Sequence, residues 1–167
     1  LETLKYFHEL KSKDLDFTLI TPIISVRHPL DSFIAARKKG WLLPYCGGAE
    51  INLENYCKGL LKFQNYMEKE KSAKVIRYED ICIDLSDCLK KTFLDLNINY
   101  KIPSLDEINL IKVTGKSGRK TENISLRERL IDDVDNELKN QIEVSNYYKK
   151  YCQLNKYNPN YQAHQII

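Results

Sequence analysis

The sequence predicts an α/β fold in which a parallel sheet is flanked by helices. Two β-branched runs, Ile23-Ile24-Ser25-Val26 and Val75-Ile76, are each followed by helix-compatible sequence. A long amphipathic segment separates them, and strands that alternate with helices pair in parallel through crossovers. Each run also ends in an arginine, Arg27 or Arg77. Open parallel sheets hold their ligands at the carboxyl ends of the strands, so both cations are expected where a ligand would sit.

The elements follow in order. Leu1 to about Lys13 reads as a helix, with Leu4, Phe7, His8 and Lys11 at helical spacing. Phe17 to Arg27 reads as a strand interrupted at Pro22, so its regular part is Ile23 to Arg27. Pro29 opens the next helix, which runs to about Lys39 and stops at Gly40. Trp41 to Gly48 reads as a loop, broken by Pro44 and the Gly47-Gly48 pair. Leu53 to Lys69 is the long helix, with Leu53, Tyr56, Cys57, Leu60, Leu61, Phe63 and Met67 as its apolar stripe. Lys74 to Tyr78 is a short strand, and Asp84 or Ser86 caps the helix after it. A linker at 102–104, a short helix at 106–112 and a polar loop at 114–125 come next, and Leu130 to Leu154 reads as one final helix before an Asn/Tyr/Gln-rich tail.

Length and composition narrow the class. The 167 residues suit one domain over 1–167. Hydrophobic residues at 43% and charged residues at 29% are ordinary for a globular chain and exclude a disordered one. A net charge of +3 does not call for nucleic acid, and the basic residues interleave with acidic ones rather than forming a stripe. No apolar run suggests a membrane span and no signal peptide is read at the front. The five cysteines Cys46, Cys57, Cys82, Cys88 and Cys152 are odd in number and contain no Cys-x-x-Cys pair. Reduced thiols in a cytoplasmic protein are expected from this pattern, and a zinc site is not.

Three segments carry anion-binding chemistry. Arg27 precedes a helix start, where N–H groups and the helix dipole favour a phosphate and a guanidinium adds two-pronged hydrogen bonds. Arg77-Tyr78-Glu79-Asp80 lies at the second strand end. Gly115-Lys116-Ser117-Gly118-Arg119-Lys120 combines flexible backbone with cations, an anion cradle by chemistry, though not a P-loop by spacing.

In order and spacing, Val26-Arg27-His28-Pro29-Leu30-Asp31-Ser32, Val75-Ile76-Arg77-Tyr78-Glu79-Asp80 and Gly115 to Lys120 together resemble the sulfotransferases that use 3′-phosphoadenosine 5′-phosphosulfate (PAPS). The resemblance covers roughly residues 1 to 130. It implies a P-loop-NTPase-like three-layer α/β fold and transfer of a sulfuryl group from PAPS to a hydroxyl or amine, giving adenosine 3′,5′-bisphosphate (PAP). It implies that Arg27 binds the 3′-phosphate, that Tyr78 packs near the adenine, and that Ser117, Gly118 and Arg119 close on the 3′-phosphate. The residue-level alternatives are an Arg27 that caps a neighbouring helix or pairs with Asp31, and a Tyr78 that closes the core at a sheet edge.

The chain departs from the family at Ala35, where the family carries a serine; Ser32, Arg37 or Lys38 would have to compensate. Glu79 and Asp80 are expected to cap the next segment or pair with Arg77. Lys116, Lys120, Arg127 and Arg129 read as surface charge, and none of His8, His28 and His164 is assigned as a base. The family's phosphosulfate loop, with its lysine, and its general base would lie upstream of Leu1. The chain is therefore expected to be the C-terminal part of such a domain, inactive or nearly so alone and supplying the 3′-phosphate and adenine half of the site. The expected acceptor is a small molecule or carbohydrate, for which the Trp41 to Gly48 loop is a candidate lining; alternatively Trp41 anchors that loop. No metal is implied and the oligomeric state is open. The alternatives at the level of function are a small-molecule kinase, with Asp80 as magnesium ligand, and a non-catalytic nucleotide-binding or interaction domain.

Overall fold

Strand β1 (Ile23–Val26) starts where Pro22 ends, because proline has no N–H to extend a ladder. The Pro22 carbonyl still accepts from Lys74 N–H at 2.8 Å. The structure, a computed structural model, describes residues 21–98 and 134–160. The expected elements at 1–13, 17–20, 102–104, 106–112, 114–125 and 130–133 lie outside those residues.

Helix α1 (Pro29–Lys39) begins on a proline and ends on Gly40, whose φ of +69° suits a residue without Cβ. His28 caps it, its Nδ1 accepting from Leu30 N–H at 3.3 Å. The expected loop after it contains a helical turn, α2 (Leu43–Cys46), with Pro44 in its first turn and Gly47 ending it at φ +61°. Leu42 and Cys46 are buried and hold this turn down, whereas Trp41 is 63% exposed. The expected anchor is thus corrected from Trp41 to its neighbour Leu42. Helix α3 (Leu53–Lys71) is capped by Asn52, which accepts from Asn55 N–H at 2.9 Å.

Strand β2 (Lys74–Arg77) leads directly into α4 (Tyr78–Ile83), a short helix the sequence reading did not separate. Asp84 ends it and caps α5 (Leu85–Asp95) by accepting from Asp87 N–H at 2.9 Å. The expected continuous last helix is instead two helices, α6 (Asn136–Val144) and α7 (Asn146–Leu154). The break is at Ser145, which turns extended with ψ +113° and caps α7 through Tyr148 N–H at 3.0 Å. Glu54 of α3 holds the break from across the core, accepting from the Ser145 hydroxyl and from Tyr147 N–H at 3.0 Å.

β1 and β2 pair in parallel with Ile23 opposite Lys74 and Val26 opposite Arg77. Among the described residues the protein is mostly helical with this two-stranded sheet. Helix α3 is central, packed against α1, α2, α6 and α7, while α4 and α5 pack on β2. Leu30, Leu53, Cys57, Leu138, Tyr148 and Cys152 are fully buried between the helices. The α3 stripe differs from expectation at one step: Phe63 faces solvent and Gln64 is buried. Gln64 and Asn155 exchange reciprocal amide hydrogen bonds at 2.9 and 3.0 Å, which satisfies both groups away from water. All five cysteines are free thiols, and no helix among the described residues is long and apolar enough to cross a membrane.

Gly59 lets α2 approach α3. A Cβ built there would lie 2.0 Å from the Tyr45 carbonyl oxygen, a backbone atom that cannot rotate aside. Gly59→Ala is expected to lower stability by about 2 kcal/mol by forcing the two helices apart. Chemical denaturation measures this, and an unchanged or higher midpoint would show that α2 moves freely.

Candidate functional site

The parallel register builds the site. With Val26 opposite Arg77, the chain leaves the two strands side by side, so Arg27 lies next to Tyr78 and His28 next to Glu79. Both pairings are made. The Arg27 guanidinium carbon lies 5.1 Å from the centroid of the Tyr78 ring, a cation–π contact. The His28 backbone N–H donates to Glu79 Oε1 at 2.9 Å. Two dipeptides 51 residues apart in sequence are thereby joined into one corner.

Arg27 is half-buried and, among the described residues, has no ion pair; the alternative of a bridge to Asp31 is not formed. Its charge is felt by Tyr56 in α3. Burial, then Tyr45 and Cys57, push the Tyr56 hydroxyl far above its ordinary 10.0, while the Ser32 hydroxyl and the Arg27 charge oppose that rise. Arg27, Ser32, Tyr56 and Tyr78 therefore share one neighbourhood. The Tyr56 ring is itself fixed edge-on by Phe33 at 5.4 Å and Tyr45 at 5.3 Å.

The helix N-terminus contributes less to this corner than the sequence implies. His28 is the reason: its ring takes Leu30 N–H and its carbonyl takes Ser32 N–H at 3.1 Å. Pro29 has no N–H to offer. The cation at this corner is therefore the Arg27 side chain rather than the helix N-terminus. The other ring nitrogen of His28, Nε2, donates to the Asn158 carbonyl at 2.9 Å, which fixes the neutral tautomer from its partners. His28 is buried and both its nitrogens serve the fold.

Arg77 and Asp80 pair as expected, through Nε to Oδ2 at 3.0 Å and Nη2 to Oδ1 at 2.6 Å. These bonds raise the Arg77 pKa, so its charge is fixed. Glu79 corrects the reading: it neither caps the next segment nor pairs with Arg77 but crosses to β1. Its second oxygen accepts from the Tyr157 hydroxyl at 2.7 Å, and that hydroxyl also lies 3.2 Å from the Val26 carbonyl. Tyr157 sits in the tail, where its sequence context gave no hint of burial under the sheet.

Ala35 is exposed on α1. Of the side chains considered as its replacement, Arg37 turns to Asp135 at 3.2 Å, whereas Ser32 stays beside Tyr56. Ser117, Gly118 and Arg119 lie outside the described residues. A cavity of about 560 Å³ runs along β2, α5 and the end of α7, yet none of Arg27, Ser32 and Tyr78 lines it. Three of its cations are paired with acids, Lys74 with Asp95, Arg77 with Asp80 and Lys91 with Asp87, and Lys156 is outweighed by the further acids Glu68 and Asp84, so the strand-end corner suits an anion better on charge grounds. No protein-family model, no curated protein and no solved structure matches this chain.

Proposed function

We propose that this chain supplies the 3′-phosphate and adenine half of a PAPS-dependent sulfotransferase site. The carrying observation is the Arg27–Tyr78 corner, a cation and an aromatic face held together at the carboxyl ends of two parallel strands. A phosphate suits the guanidinium, and a purine suits the ring that the guanidinium already covers. In this reading Ser32 adds a hydroxyl to the phosphate, and Ser117, Gly118 and Arg119 close over it. The reaction breaks the S–O bond of the phosphosulfate and forms a new S–O or S–N bond to the acceptor, whose proton passes to a base. In this reading the corner contributes cofactor binding, and neither that base nor a phosphosulfate lysine is assigned to a residue of this chain. In the same reading the acceptor is a small molecule or carbohydrate, the setting is cytoplasmic, and the fold is of the P-loop-NTPase-like three-layer α/β type.

The kinase alternative loses support, because Asp80 is bound by Arg77 on both carboxylate oxygens. A non-catalytic domain keeps one supporting observation, the His28 cap that occupies the helix N-terminus.

A thermal-shift titration tests the proposal. PAP at a hundredfold excess over its Kd is expected to stabilise the chain by about 2.7 kcal/mol. Arg27→Ala is expected to weaken PAP about thirtyfold, the loss of one charge-assisted contact. Lys91→Ala, distant from the corner, should leave binding unchanged. Equal stabilisation by ATP with magnesium would favour the kinase, and no response from a folded chain would favour the interaction domain.

A further inference from the structure

We propose that the tip formed by the last turn of α1 and by α2 docks on anionic lipid bilayers. Trp41, Leu43 and Tyr45 are 63%, 61% and 46% exposed, and Ile51 just beyond them is 47% exposed. They are not on a loose loop. Leu42 and Cys46 pin α2 to the core, Tyr45 rests edge-on against Tyr56 at 5.3 Å, and Gly59 admits the Tyr45 backbone. The backbone that carries these exposed side chains is thus held on the core, so little backbone entropy opposes their burial elsewhere.

Charge selects the occupant. Lys38 and Lys39 lie in the last turn of α1 beside Arg37, whose charge is balanced by Asp135 at 3.2 Å, and Trp41 N–H returns to the Ala36 carbonyl at 2.9 Å, which brings the tip back onto that turn. Glu50, hydrogen-bonded by Asn52, is the acidic side chain of the connecting segment. An exposed tryptophan and tyrosine, an exposed leucine and a cationic turn at one edge match the headgroup level of an acidic membrane surface. This is docking on a bilayer, not spanning one, and it is independent of the nucleotide reading.

Trp41 is the single tryptophan of the chain, so its fluorescence reports this tip alone. Titration of the full chain with phosphatidylserine-containing vesicles is expected to shift its emission to the blue. Lipids brominated in the acyl chain should quench it. Lys38→Gln combined with Lys39→Gln is expected to weaken partition about thirtyfold. Leu43→Ser should remove the shift, and co-sedimentation with vesicles gives a second readout on the same variants. All three positions are exposed, so these variants retain the fold. An emission unchanged by anionic vesicles would overturn the proposal. So would an equal response to neutral vesicles, or a shift produced by a soluble sulfated oligosaccharide and not by vesicles.

Discussion

Glu79→Ala is expected to lower folding stability by about 3 kcal/mol. The carboxylate is buried and accepts from two donors on two different elements, His28 N–H at 2.9 Å and the Tyr157 hydroxyl at 2.7 Å. Its removal takes away the acceptor of the His28 N–H, which lies in a buried residue at the cap of α1. Tyr157 suffers less, since its hydroxyl already lies 3.2 Å from the Val26 carbonyl and can turn to it. Tyr157→Phe is therefore expected to cost about 1 kcal/mol. A double-mutant cycle by urea denaturation should give a positive coupling between positions 79 and 157. Strict additivity would show that the two side chains do not act as a unit. If the corner binds PAP, Glu79→Ala should also weaken that binding, because the His28–Glu79 bond keeps Arg27 beside Tyr78.

Alkaline pH is expected to unfold the protein over a narrow range beginning near the ordinary tyrosine value of 10.0. Tyr56, Tyr151 and Tyr157 are all raised well above that value. Burial is the largest cause for each, followed by Tyr45 for Tyr56, Tyr56 for Tyr151, and the Glu79 charge for Tyr157. In the unfolded chain these phenols release their protons as pH passes 10, whereas in the folded chain they keep them. Their contribution is therefore complete below pH 10 and falls as pH rises above it. Three such groups give a slope of about 4 kcal/mol per pH unit, comparable to the total stability of a small domain. Cys57, raised from 9.0 by burial and then by Cys152, adds to the slope from a lower pH. Denaturation midpoints measured from pH 9 upward, with phenolate absorbance followed in parallel, check this. Tyr56, Tyr151 and Tyr157 should ionise only as the fold is lost. Full phenolate formation with native circular dichroism would contradict it.

The legible features were local. The start of α1 at Pro29, its stop at Gly40, the Asp84 cap and the Arg77–Asp80 pair all join residues within a few positions, where sequence spacing translates directly into geometry. The break at Ser145 was not legible, because α6 and α7 form one continuous periodic pattern. Ser145 becomes a cap because Glu54, 91 residues away, accepts a hydrogen bond from its hydroxyl. The same holds for Gln64, a polar residue that is buried because Asn155 faces it, and for Phe63, which periodicity alone put inside.

By itself, the sequence determined that two short strands end in arginines, that a helix starts after the first of them, and that α3 offers the others a long apolar face. All three follow from residue-level periods and caps, which need no partner. Only the tertiary structure decided which strand-end residues meet. The Val26–Arg77 register lays Arg27 against Tyr78 and His28 against Glu79. Register is a property of two strands together, and a shift of one residue along the ladder would have paired different side chains.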